Sequence, residues 1–258
     1  MIKKTIQSTV SKLGYKLTRI SSQDESQFSV YEVALASLAA HKKELRIVIV
    51  GANDGKYNDP GYSFINTYLH TRSKVLLIEP QEKLHKHIRK HYEGHGSFEL
   101  FNGCVGKSGR QQLFTIKEDY WEKLQPAYAN NWPVYRAPTG IASFSRDEVA
   151  DWIKMNFKRI NNPIDYVEAI DVETKDLASI LDFIGWEKQI DVLQIDAEGF
   201  DDEVIYASNL DSTQPRLILF ESKNIPEKRI ATLEEKLSSK GYILVRLRGD
   251  TLAIKITH

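Results

Sequence analysis

The chain has 258 residues, 41% of them hydrophobic, with 35 basic side chains against 35 acidic ones. That length can bury one sizeable core, and the balanced charge argues against nucleic acid or an anionic membrane as the principal partner. No run of roughly 18 apolar residues occurs, so no membrane-spanning helix is expected, and the lone Cys104 fits a reducing, cytoplasmic setting.

Residues 1–28 read as an N-terminal amphipathic helix and a linker. Ile2, Ile6, Val10, Leu13, Leu17 and Ile20 recur at steps of three and four, with lysines mostly on the other side. Such a helix suits docking on the main domain or on a second copy in a homo-oligomer. Its basic face also suits peripheral contact of residues 1–20 with a membrane surface. The start Met1-Ile2-Lys3-Lys4 resembles a signal-peptide n-region, but no apolar run follows it. Ser21 to Gln27 is polar and reads as the linker, so the main domain is expected over residues 29–258.

Within that domain short apolar runs alternate with helical stretches. Leu45–Val50, Lys74–Ile78, Phe98–Phe101, Ile190–Ile195 and Leu217–Phe220 read as buried strands, with helices between them. The expectation is an α/β fold with a doubly wound, Rossmann-like, mostly parallel sheet. Tyr242–Leu247 and Thr251–Ile256 flank a short Arg248-Gly249-Asp250 loop, which predicts an antiparallel C-terminal hairpin closing the sheet. Residues 117–138 show little periodicity and crowd Trp121, Tyr128, Trp132 and Tyr135 together, as in a substrate-covering insertion.

The chemistry sits at strand ends. The first strand runs into Val50-Gly51-Ala52-Asn53-Asp54-Gly55, where glycines admit positive φ and close approach of a ligand to the backbone. The spacing is not G-x-G-x-x-G, and short polar groups here suit a zwitterionic tail better than a pyrophosphate. Glu79-Pro80 closes the second strand, where a carboxylate accepts hydrogen bonds from ribose hydroxyls. Asn102 and Cys104 follow the third strand, at a position suited to an adenine edge; Cys104 also reads simply as a small buried residue. The fourth strand ends in Ile195-Asp196-Ala197-Glu198-Gly199-Phe200-Asp201, and the fifth in Phe220-Glu221-Ser222-Lys223. Three acids at two neighbouring strand ends are costly to bury without a proton, a metal or a ligand cation. His85, His87, His91 and His95 have a zinc-like spacing, but they lie away from these acids and read as a solvated helix face.

Together these segments resemble the FkbM family of methyltransferases, in order and over residues 45 to 225. Its members carry a V-G-A-N-x-G turn, then E-P, an N-x-A-V-G segment, an I-D-x-E-G-x-E block and a strand ending in glutamate. Asp171 to Leu177 resembles the family's approach to that block. The sequence departs at Asp201, at Cys104 and at Asp54 to Asp59. The resemblance implies a class I methyltransferase fold, S-adenosyl-L-methionine as cofactor, and O-methylation of a hydroxyl on a sugar, a glycan or a polyketide-like small molecule. It implies that Gly51, Ala52, Asn53, Gly55, Glu79, Pro80, Asn102, Cys104 and Asp196 hold the cofactor. Asp196 and Glu198, with Glu221 third, stand as the bases that activate the hydroxyl. A Mg²⁺ ion on Asp196 and Glu221 is the other route to activation. An NAD-dependent oxidoreductase would show a third glycine and a Tyr-x-x-x-Lys pair, which are missing. A non-catalytic methyltransferase-like partner subunit would have lost Glu79 or Asp196, and both are present.

Overall fold

The computed structural model describes residues 29–129 and 131–256. The amphipathic helix and linker expected over 1–28 lie outside the described residues.

Ser29 opens the first described helix, α1 (Val30–Ala40). Its hydroxyl accepts from the Glu32 amide while the Glu32 carboxylate accepts from the Ser29 amide, satisfying two N-terminal amides at once. The chain then alternates through β1 (Leu45–Val50), α2 (Tyr62–Tyr68), β2 (Ser73–Ile78), α3 (His85–His91) and β3 (Phe98–Phe101). An insertion follows, containing β4 (Cys104–Val105), β5 (Gly109–Ile116), α4 (Arg146–Asn156) and β6 (Val167–Lys175). The alternation resumes with α5 (Leu177–Phe183), β7 (Val192–Ile195), α6 (Asp201–Ala207), α7 (Leu210–Thr213), β8 (Leu217–Glu221) and α8 (Glu227–Ser239). It ends in the hairpin of β9 (Tyr242–Arg246) and β10 (Asp250–Lys255).

The main sheet has seven strands in the order β3-β2-β1-β7-β8-β10-β9. β1, β2, β3, β7 and β8 pair in parallel, and β10 runs antiparallel to both neighbours. The expected hairpin is present, yet its last strand does not form the edge. β10 inserts between β8 and β9.

Successive strand residues point to opposite faces, so β1 feeds two cores. Ile47 and Ile49 pack with Tyr31, Leu35, Phe64, Ile65 and Tyr92 under α1 to α3. Val48 and Val50 pack with Leu177, Ile180, Leu181, Leu233 and Leu237 under α5 and α8. Each such fully buried side chain contributes about 1.5–3 kcal/mol, which explains why the central strands are mostly apolar.

The insertion is larger than the expected 117–138 segment. β4, β6 and β5 form a second sheet in that order, with β5 antiparallel to β6 from Gly109↔Thr174 to Ile116↔Val167. Ile116, Trp121, Leu124, Val149, Ile153 and Val167 make its own small core, closed against Leu84 of the main domain. Trp121 is thus a packing residue, its indole N–H donating to the Ile116 carbonyl at 3.0 Å. No described helix is long and apolar enough to cross a membrane.

Candidate active site

Strand order reverses between β1, which leads outward to β2 and β3, and β7, which leads to β8. A crevice opens at the carboxyl ends of the strands around such a point. A cavity of about 840 Å³ occupies this end of the sheet, walled by Tyr128, Trp132, Arg136, Thr139 and Phe144 of the insertion. Gly51, Asn53, Glu79, Pro80, Cys104, Asp196, Glu198 and Glu221 all line it.

Close backbone approach builds its floor. Gly51 has φ +75°, and a Cβ there would stand 1.9 Å from the Asp196 carbonyl oxygen, so only glycine fits. The Asp196 amide donates to the Val50 carbonyl at 3.0 Å, and the Gly51 and Ala52 amides both donate to Ile78 at 3.1 Å. Three strand ends are thereby laced together. Ala52 is buried beneath the turn, and Gly55 packs against the Tyr92 ring rather than facing the cavity. Asn102 is exposed and does not line the cavity.

Glu79 is 3% exposed, and its two oxygens accept from the Asn53 amide at 2.7 Å and the Gln81 amide at 2.8 Å. Burial nevertheless pushes its carboxyl up to about 7, against the pull of those hydrogen bonds and of Arg136. A carboxylate has about four acceptor sites, so it keeps capacity for hydroxyl donors from the cavity side. Burial, with Glu79 nearby, pushes the Cys104 thiol up to about 12, so it is no nucleophile and serves as wall.

The acids of β7 and β8 form one electrostatic unit. Asp196 is raised to about 6 by burial and by Glu221, and Glu198 to about 8 by burial, Asp196 and Glu221. The Oδ1 atom of Asp196 is buried and has no hydrogen-bond partner among the described residues. Beneath them Asp201, fully buried, accepts from the Ala197 amide at 3.3 Å and the Glu221 amide at 2.9 Å. It fastens the two acid-bearing strand ends at a fixed separation, and burial raises its own carboxyl to about 7.

The Mg²⁺ reading finds no support in these contacts. Glu221 is held by Lys223 on one oxygen and by the Asn224 amide on the other. Among the described residues no group of three or more His, Cys, Asp or Glu side chains could hold a metal ion. The histidines likewise form no metal site, and they are tertiary contacts rather than a solvated face. His85 bonds the Glu79 carbonyl, His91 the Asp54 carbonyl, and His87 stacks on Tyr135 at 3.6 Å.

Several site residues were not visible in the sequence. Asp54 is fully buried and accepts from the Lys56 and Tyr57 amides and the Tyr135 hydroxyl. Arg136, 6% exposed, donates from Nε and Nη2 to the Tyr57 carbonyl, with Nε 3.4 Å from Asp54 and its guanidinium over the Trp132 ring. The Thr139 hydroxyl donates to the Arg136 carbonyl at 2.7 Å and lies 2.9 Å from Asn53 Oδ1, and Gln81 donates to the Thr139 carbonyl at 2.9 Å. The insertion is therefore stapled onto the first two strand ends. Of the four clustered aromatics, Tyr128 and Trp132 line the cavity, and Tyr128 is 61% exposed at its mouth. The sequence signal for this wall is the aperiodic, aromatic-crowded run 117–138, with the proline- and glycine-bearing Arg136 to Gly140 at its end.

Residues 50–244 match the family described as the methyltransferase FkbM domain. No curated protein matches the chain. Among solved structures, the chain is similar to a precorrin-6y C5,15-methyltransferase from Geobacter metallireducens GS-15. Identity there is 9%, over 89% of this chain and 90% of that one, with a TM-score of 0.39. An S-adenosylmethionine-dependent O-methyltransferase from Thermotoga maritima shows 11% identity over 96% of this chain and 71% of that one, TM-score 0.39. A methyltransferase from Geobacter sulfurreducens shows 12% over 99% and 88%, TM-score 0.39. The family assignment rests on the domain match.

Proposed function

Because the chain belongs to the FkbM methyltransferase family and is an S-adenosylmethionine-dependent enzyme, we propose that it methylates a hydroxyl, in the first instance on a sugar or glycan. Residues 29–258 are the catalytic unit in this reading. The observation that carries it is Asp196: a carboxylate in a ligand-sized cavity, raised toward neutrality, with one buried oxygen lacking a partner. An unpartnered buried acceptor of this kind is costly and calls for a donor or a cation from a ligand. The cavity fits the cofactor in volume and in chemistry, with the Glu79 carboxylate placed for ribose hydroxyls and the acids of β7 for its positive charge.

Bound S-adenosylmethionine supplies an activated methyl group on a sulfonium. The chain's own task is then alignment and proton removal. Alignment in a fixed site supplies up to about 7–11 kcal/mol in favourable cases. Asp196 accepts the proton of the acceptor hydroxyl as its oxygen attacks. A carboxyl raised into the neutral range is a better base than an ordinary one and is still largely ionised at pH 7. Glu198 and Glu221 flank it, and Lys223 balances their charge. Tyr128 and Trp132 offer ring faces at the mouth for the apolar face of a sugar.

The test is incubation with cofactor carrying a labelled methyl group and panels of nucleotide sugars, glycans and polyketide-like alcohols. The label should appear on a sugar oxygen. Label confined to the polyketide panel would replace the sugar by a natural-product acceptor, and label on nitrogen or carbon would overturn hydroxyl transfer.

A further inference from the structure

β9 and β10 are apolar on both sides. Successive strand residues point to opposite faces, and Tyr242, Leu244 and Ala253 pack on one side with Ile230, Leu233 and Leu237 of α8. The other side carries Ile243, Val245, Leu247, Leu252, Ile254 and Ile256, with Ile243 opposite Ile254 and Val245 opposite Leu252. A strand pair with one face in water alternates apolar with polar residues, whereas one that is apolar on both faces is built to be covered twice. Here the second cover is incomplete. Leu252 is buried, Val245, Leu247 and Ile254 are half-buried, and Ile243 is 53% and Ile256 44% exposed. α1 shows the same want of cover. A helix face in water normally carries charge. The exposed residues of α1 are Val30, Val33, Ala36, Ser37 and Ala40, and its single charged residue, Glu32, is spent on the Ser29 cap. Helix and hairpin lie on one side of the sheet, since Tyr31 and Leu35 share a core with Leu252, and Leu38 and Val245 pack at its rim.

We infer that this side of the sheet, along β9, β10 and α1, is the docking site of residues 2–20 of the same chain. The segment brings what the face lacks: Ile2, Ile6, Val10, Leu13, Leu17 and Ile20 at helical spacing, with lysines mostly elsewhere. Docked by that stripe, it keeps its basic side in water. Length and attachment fit. As a helix, residues 2–20 span about 28 Å. Residues 21–28 reach at most about 26–29 Å from Ser29, where α1 begins on this same side of the sheet. The tether also decides between occupants. A flexible linker this short holds the segment at an effective concentration of about millimolar, so in dilute solution it meets its own chain's face ahead of a second copy's. None of these residues lines the active-site cavity, so the docking face and the methyl-transfer reading stand or fall separately.

Photo-cross-linking on the full chain tests this. Ile243→benzoylphenylalanine and, in a second protein, Ile256→benzoylphenylalanine put the reactive ketone on the docking face, at positions exposed enough for the fold to tolerate it. Met155→benzoylphenylalanine, on α4 of the insertion and 78% exposed, is the control. After irradiation, peptide mass spectrometry should find adducts to residues 2–20 from both face positions, in species of single-chain mass, and none from the control. Leu13→Asp together with Leu17→Asp should lower that yield at least about tenfold, because a carboxylate on the buried stripe is costly. Adducts found only in species of twice the chain mass would overturn same-chain docking and make the face an interface between copies. Full yield in the Leu13→Asp, Leu17→Asp chain would overturn it as well, since the apolar stripe would then not be what docks. No adduct to residues 2–20 from either face position would also overturn it, and flotation of the chain with phosphatidylserine vesicles would then name a membrane as the segment's partner.

Discussion

Replacing Glu198 by glutamine should make the ligand-free protein more stable and the ligand-bound protein less so. Glu198 is half-buried, and burial followed by the nearby Asp196, Glu221 and Asp201 pushes its carboxyl, against the pull of Lys223, up to about 8 from an ordinary 4.5. The sign follows from proton linkage: the folded state holds this proton more tightly than the unfolded one. Stability from the neutral carboxyl is therefore complete below about pH 4.5 and is withdrawn as pH rises toward 8. At pH 7 the withdrawal amounts to about 1–3 kcal/mol once relaxation of the site is allowed for. Glu198→Gln removes it, and for a chain of this size the melting temperature of the free protein should rise by roughly 2–8 °C. The wild type should lose stability between pH 5 and 8 more steeply than the variant. Addition of S-adenosylhomocysteine should reverse the ranking, because the variant has lost a negative charge on the wall of the cavity that receives a ligand with a cationic group. Differential scanning fluorimetry at pH 5, 7 and 8, with and without the ligand, reads all of this. A variant that melts lower than wild type when free, and gains as much from the ligand, would refute the reasoning.

Three further outcomes are expected. Glu79→Ala should weaken both S-adenosylhomocysteine and methylthioadenosine by about 1–3 kcal/mol, since both present the ribose; unchanged calorimetric affinity would take Glu79 out of the site. Asp196→Asn should leave S-adenosylhomocysteine binding nearly intact and depress turnover at least tenfold, as removal of a general base does; full turnover would move that role to another acid. Asp201→Ala leaves the Ala197 and Glu221 amides without their buried acceptor, so chemical denaturation should show a loss of about 1–3 kcal/mol. No loss would mean that the two acid-bearing strand ends are held by other contacts.

The parts of the fold visible in the sequence were those whose physics is one-dimensional. β1, β2, β7 and β8 are buried on both faces, so their residues are mostly apolar and bounded by polar turns, with Arg46 and Gln194 as interruptions. The acids and glycines of the site follow those runs directly, which is why Gly51, Glu79 and Asp196 were readable as one site. β5 and β6 escaped because their sheet is covered on one side only. Gly109 to Gln112 are all exposed, and in Val167–Lys175 the exposed Asp171 and Glu173 and the half-buried Glu168 alternate with the buried Val167, Val172 and Thr174. The place of β10 between β8 and β9 depends on three-strand pairing, which a local hairpin pattern does not encode. Arg136 was invisible for a similar reason. Its role comes from Tyr57 and Asp54, some 80 residues earlier in the chain. The Mg²⁺ expectation finds no support at the level of side chains, where the folded strand end shows Glu221 engaged by Lys223 and Asn224.

A crystal structure of the protein soaked with S-adenosylhomocysteine bears on the whole scheme at once. The nucleoside should lie in the crevice between β1 and β7, its ribose hydroxyls on Glu79 and its sulfur beside Asp196. A ligand bound elsewhere, or a crevice that stays filled by the insertion at saturating ligand, would contradict it.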